Sequence, residues 1–438
     1  MNLKIVTLMR SPKRDLCWLQ DALQSAIELE LATLPPYLCG YWALQDPDSY
    51  PATQIHSIVM QEMLHFGLAC NMLTATGKQP EVLKGYASIE YPGPLPGGVV
   101  PQCVRDLVPC DPHFEVVLGF PNFKAFALMC CQIEYPEDPV PEALRLAAET
   151  FTSIGKFYDA ILDAFRTNDA HIPYQLANQQ QRSLGMFTIG NLADATKAIQ
   201  LIQQQGEGGS RYPYWSTGQL SHFYAFGELY YLRKYEFDPG TQKGGWTGGQ
   251  ISIPEVYDMT PVPLHGYPSP PPEVTECDRL FTAVLTHLEA AWSGGGAAEL
   301  SAAIASMVAL GGQATALLAK KINRTGAPGI YGPQFKIAAA AGGTGGSGVS
   351  TGGGSTTMAV SFAKDILPLF RAIDVDHMKP MGVVLDDYAY MSDATGDHAN
   401  AKAVLDELKK HRMPPGGPFW TQAQLDLFSK WMSDGYKE

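Results

Sequence analysis

Apolar residues recur every three or four positions from early in the chain. Leu16, Leu19, Leu23, Ile27 and Leu31 fall on one helical face, so residues 12–45 read as a long helix. Pro35 and Pro36 should kink or end it, because each lacks an N–H and crowds the preceding turn. The same spacing predicts helices over 52–77, stopped by Gly77 and Pro80, and over 121–134, 142–167, 188–205 and 217–236. Residues 81–120 alternate Pro, Gly and short β-branched runs and read as an irregular excursion. Beyond a Pro/Gly/aromatic loop at 237–272, two more amphipathic helices fit 273–292 and 297–322. Residues 341–355 are a Gly/Ser run of the kind that behaves as a flexible tether. Helical patterns then return near 361–372, 400–411 and 421–435. The fold class is therefore mainly all-α, with long loop excursions. The expected division is a bundle over 1–236, a loop and helical extension over 237–340, a linker over 341–357 and a small helical domain over 358–438.

A chain of 438 residues is too long for one ordinary core, which agrees with that division. The net charge of -13, without Lys/Arg blocks, argues against nucleic acid and anionic membrane as partners. No apolar run reaches the length of a membrane span, and Met1 to Arg10 lacks the apolar core of a secretory signal. None of the eight cysteines forms a Cys-x-x-Cys pair, which excludes zinc-ribbon and thioredoxin readings. Cys17, Cys39, Cys70, Cys130 and Cys131 lie in apolar helical patterns and read as buried thiols in a reducing compartment, here the cytoplasm. Cys103 and Cys110, in a Pro-rich loop, are the pair to suspect of bridging.

One short motif carries chemistry. Glu62-Met-Leu-His65 places a carboxylate and an imidazole at i and i+3, on one helix face, where both reach one metal ion. Ferritin-like bundles use two such pairs plus a Glu from each of two other helices. Glu30 lies one helix earlier in LELATLPPYL, where a buried carboxylate needs a partner or a metal. Glu28, two residues away, faces elsewhere and is expected in solvent. Glu134 ends the apolar helix AFALMCCQIE, Glu207 sits in QQGEGG and His222 opens the aromatic SHFYAF. A second Glu-x-x-His is missing, because Gln219 stands three residues before His222. That argues against a symmetric two-metal site.

The ordered set ELATLPPYL (30–38), EMLHFGLACNMLTATG (62–77), QIEYP (132–136), SIGKFYDAI (153–161), AIQLIQQQGEGG (198–209), SHFYAF (221–226) and GPQF (332–335) resembles the ferritin-like iminophenyl-pyruvate dimer synthases of bisindole pathways. The resemblance covers residues 12–340 or thereabouts. It implies oxidative coupling of two amino-acid-derived imines with non-haem iron, and metal ligands at Glu30, Glu62, His65, Glu134, Glu207 and His222. Where that family tends to carry Glu, this chain has Lys156, whose charge would repel a second ion or replace it. The C-terminal segments SFAKDILPLFRAIDVDHM, DDYAY, MPPGGPFW and LFSKWMSDG resemble a cytochrome-c-like domain. The matching region has His377 but no cysteine, so haem would not be covalent, with His377 and Met413 as its ligands; a haem-free relic is the expectation.

Together these readings predict an oxidoreductase using one or two iron (or manganese) ions to act on a small molecule, amino-acid derived. Lys156 and Tyr37 are the candidate catalytic residues. Tyr37, Tyr41 and Tyr158 could instead be core aromatics. A homodimer is compatible with the sequence. The alternatives are a mononuclear enzyme keeping Glu30, Glu62 and His65, and a non-catalytic metal-binding or scaffold protein with a degenerate site.

Overall fold

The computed structural model describes residues 4–96, 114–135, 154–181, 185–206, 213–214, 218–238, 240–241, 243–338, 360–370, 375, 383–394, 398–409, 420 and 422–437. The expectations for Cys103, Cys110, Glu207, His377 and Met413 fall outside these residues. The chain divides into two compact units, Met1–Ala341 and Gly342–Glu438.

The first unit is built on two long helices. After a short helix α1 (Lys4–Arg10), α2 (Leu16–Ala43) packs along α3 (Tyr50–Ala75). Each start is capped in the expected chemical way. The Asp15 carboxylate accepts from the Trp18 amide at 3.0 Å, and Ser49 precedes a Pro51 in the first turn of α3. Gly77, at a φ of 86°, turns the chain out of α3.

Pro35 and Pro36 do not end α2, contrary to the sequence expectation. The helix runs through both of them to Ala43. Pro36 cannot bond the Ala32 carbonyl, and that freed oxygen accepts a hydrogen bond from the Tyr91 hydroxyl at 2.7 Å. A partner distant in sequence thus removes part of the cost that makes proline a helix breaker. Glu28 is a second correction. It is buried, because the short helix α4 (Val82–Tyr86) lies over its face of α2, and the Gln24 amide lies 3.3 Å from its Oε1.

Among the described residues, four further bundle helices come as two packed pairs. Helix α5 (Phe123–Ile133) lies beside α8 (His222–Tyr231), and α6 (Ile154–Asn168) lies beside α7 (Leu192–Gln205). Both pairs pack on α2 and α3. Gly40 permits the close approach of α5, since a Cβ there would lie 2.0 Å from the Phe126 ring. The amide of His222 donates to the carbonyl of Gly206 at 3.0 Å, so α8 resumes where α7 stops.

A small antiparallel hairpin pairs β1 (Glu236–Asp238) with β2 (Lys243–Gly245) in the expected loop. Helices α9 (Pro272–Ala290) and α10 (Gly296–Ala319) then pack on each other. The stretch Pro272–Ala319 contains an 18-residue window of mean hydropathy 1.6, long and apolar enough to cross a membrane by length and composition alone. This differs from the sequence reading. Residues 300–319 carry no charge, but interspersed Ser, Gly, Gln and Thr residues keep the apolar positions from forming one continuous run. Leu300, Ala303, Leu310, Ala314, Leu317 and Leu318 of α10 are buried, while Val308 is 70% exposed.

The second unit has its own core of Phe362, Ile366, Leu385, Met391, Phe428 and Trp431. Among its described residues the regular elements are the turns Phe362–Ile366 and Leu367–Leu369 and the helices α11 (Tyr388–Met391), α12 (Ala399–Lys409) and α13 (Gln422–Ser433). A longer helix was expected at 361–372. Two tight helical turns stand there instead, the second begun by Leu367 and Pro368, because Pro368 has no N–H with which to continue an α-helix.

Candidate metal centre

Glu30 comes from the middle of α2, and Glu62 and His65 from adjacent turns of α3. Their side chains meet inside the bundle. The Nδ1 of His65 lies 3.6 Å from Glu30 Oε2 and 3.7 Å from Glu62 Oε1. Glu134 enters at the C-terminal cap of α5, and His222 is the first residue of α8. The Nδ1 of His222 lies 2.8 Å from Glu62 Oε1 and 3.5 Å from Glu134 Oε2. Two sets of donors result, Glu30–Glu62–His65 and Glu62–Glu134–His222, each with its ligand atoms within 4.8 Å of one another. Glu62 belongs to both. All five residues are at most 5% exposed.

Hydrogen bonds hold the carboxylates from outside the cluster. The Tyr37 hydroxyl donates to Glu134 Oε1 at 2.5 Å, and the Tyr158 hydroxyl donates to Glu30 Oε1. The Thr33 hydroxyl lies 2.9 Å from Glu62 Oε2. Burial first, and then the charge of Glu134, keeps the Tyr37 phenol protonated far above its usual range, so it acts as a donor. Lys156 is half-buried on α6. A cavity of about 30 Å³ opens against the cluster; Gly155 and Tyr158 line it but Lys156 does not. Gln219 lines a different, polar cavity of about 220 Å³, with Tyr50, Gln54, Ser57 and Gln61.

The electrostatics call for a cation. Burial, reinforced by Glu134, raises the Glu62 carboxyl to about 7, although His222 and His65 pull it down. Burial disfavours a charged His222, yet Glu134 and Glu62 outweigh that and raise it to about 10. Protons therefore stand in for positive charge among three carboxylates. The His222 Nδ1 is buried and makes no hydrogen bond, although Glu62 Oε1 lies 2.8 Å away. Three carboxylates and two imidazoles with an orphaned ring nitrogen fit iron or manganese, whose preferred donors are oxygen and imidazole nitrogen.

Sequence reasoning named Glu134 and His222 as candidate ligands but gave no contact between them. No fixed spacing links them; the packing of α5 on α8 does. It also missed Gln61 and Gln205, whose amide oxygens lie 2.8 Å from the Nε2 of His222 and of His65. Gln205 lies within the quoted AIQLIQQQGEGG segment and Gln61 just before Glu62, but no ligand spacing marks either.

The fold is a ferritin-like helical bundle. A family profile described as Ferritin-like matches residues 23–231, the span that holds all five clustered residues. The chain is also similar to a ferritin-like protein from Caulobacter vibrioides of known crystal structure. The two share 25% identity over 69% of this chain and 94% of that one, with a TM-score of 0.44. No curated protein matches the chain.

Proposed function

We propose that the chain is a non-haem metal oxidoreductase, with Glu30, Glu62, His65, Glu134 and His222 holding two ions and Glu62 shared between them. The observation that carries this reading is the pair of buried donor sets meeting at Glu62. Iron bound there would supply one-electron chemistry and activate dioxygen or peroxide. Manganese suits the same donors. The protein's own residues supply the rest. The three carboxylates offset the charge of the ions. Tyr37 and Tyr158 fix the rotamers of Glu134 and Glu30. The apolar wall of Leu29, Ile133 and Ile202 limits water at the cluster. An amino-acid-derived imine is the substrate class that the iminophenyl-pyruvate dimer synthase resemblance suggests. Buried free thiols at Cys39, Cys70, Cys130, Cys131 and Cys277 support a cytoplasmic setting, whereas Cys17 is exposed.

A second reading is non-catalytic metal binding. The cavity at the cluster, about 30 Å³, favours it, since that space suits a water or a diatomic molecule and not an amino-acid-sized one. One experiment separates the two. Protein loaded anaerobically with Fe(II) is exposed to oxygen with and without an amino-acid-derived imine, and oxygen uptake and product are followed. The oxidoreductase reading expects about two ions per chain and turnover that depends on the added molecule. Metal uptake followed by a single oxidation event supports the second reading. A chain that takes up no iron or manganese overturns both.

A further inference from the structure

Both histidines of the cluster are gripped from behind in the same manner. The Nε2 of His65 lies 2.8 Å from Oε1 of Gln205, and the Nε2 of His222 lies 2.8 Å from Oε1 of Gln61. A carboxamide oxygen can only accept, so each Nε2 carries a proton in these contacts. With a metal bound, the opposite nitrogen is then free to present a lone pair. In both rings that nitrogen, Nδ1, faces two carboxylates of its donor set.

We propose that Gln61 and Gln205 are paired positioning residues. They fix both imidazoles as the Nε2-protonated tautomer, so that each offers Nδ1 to a divalent cation. This rests on the metal-centre reading above. The two contacts interlock three helices. Helix α3 contributes His65, held by the last residue of α7, and also Gln61, which holds the first residue of α8. Chemistry explains the choice of an amide. A carboxylate behind each imidazole would also orient it, but would bring further negative charge to a site that already buries three acidic groups. A neutral acceptor orients the ring without that cost. Hydroxyl side chains are shorter, and lysine cannot accept.

The test uses full-length chain loaded with zinc, a diamagnetic probe, with its histidines labelled with ¹⁵N. Proton–nitrogen correlation spectra should show two rings bound through Nδ1, with Nε2 protons that exchange slowly with water. Gln61→Leu should speed exchange at His222 alone, and Gln205→Leu at His65 alone. Each should weaken zinc binding by about 10–100-fold, the usual effect of losing an outer-shell partner. Gln61→Glu and Gln205→Glu keep an acceptor and should restore slow exchange and most of the affinity, whereas loss of mere packing would not be repaired by an added charge. Binding through Nε2 in the parent protein overturns the proposal. So do leucine variants with unchanged exchange and affinity, and so does a failure of both glutamate variants to restore them. These outcomes leave the metal-centre reading standing; absence of zinc uptake by the parent protein overturns both together.

Discussion

The two halves of the candidate centre are made differently. Glu30, Glu62 and His65 project from the interiors of two unbroken helices, α2 and α3. Glu134 and His222 sit at helix ends, one closing α5 and the other opening α8. A ligand inside a helix inherits its direction from many backbone hydrogen bonds. A ligand at an end depends on whatever holds that end, here the His222 amide on the Gly206 carbonyl and the packing of α5 against α8. The first half should therefore behave as a rigid template, and the second as the half whose geometry responds to its surroundings.

The largest expected effect comes from Glu62, the residue common to both halves. Glu62→Ala should fold but retain almost no metal, as measured by elemental analysis beside a thermal melt. Full metal content would show that Glu62 is structural and that the halves are not joined through it. A milder cut is to remove one half at a time. His65→Ala and His222→Ala should each lower the stoichiometry from about two ions to about one. If His65→Ala alone empties the site, the second half cannot hold an ion by itself.

Acidity sharpens the comparison next. Glu62, at about 7, and His222, at about 10, bind protons more tightly folded than unfolded. Stability from such groups is complete below their unfolded values and is lost as pH rises through the folded ones. The metal-free chain should thus melt at progressively lower temperature from about pH 5 to pH 10. Metal uptake must displace the same protons, so zinc affinity should rise with pH, most of all at the His222 half. Calorimetry in buffers of different ionisation heat would count the protons; uptake with no proton release contradicts the assignment. The smallest effect is expected for Tyr37→Phe, which removes one hydrogen bond to Glu134. It should cost about 2 kcal/mol and loosen the second half while leaving the His65 half unchanged. Equal weakening of both halves would mean that they are mechanically one body.

The same contrast explains what could be read from the sequence. Leu19, Leu23, Ile27 and Leu31 mark the buried face of α2 and are all buried, because helical periodicity is a local property. The approach of Glu30 to the Glu62–His65 pair follows from two such faces packing together. Pro35 and Pro36 misled because their rescue by Tyr91 lies far along the chain. Glu28 misled because α4, which covers it, is set by tertiary packing. The absence of a Glu three residues before His222 argued against a symmetric two-metal site; a carboxylate stands beside His222 all the same, because Glu134 reaches it from another helix. The glutamines behind the histidines had no signal, since a lone amide, whether mid-helix like Gln61 or at a helix end like Gln205, looks like any solvated residue.

The splice between Gly206 and His222 has a consequence for how this chain tolerates change. Two backbone hydrogen bonds hold the start of α8 in place, the His222 amide on the Gly206 carbonyl and the Ser221 amide on the Pro213 carbonyl. The number of residues between Gly206 and Pro213 is thereby uncoupled from the position of the ligand. Residues added or removed there need not rotate His222 off the centre, as a single insertion within α3 would rotate His65 by about 100°. The bundle thus contains a site where new sequence can be tried beside the chemistry without altering its geometry.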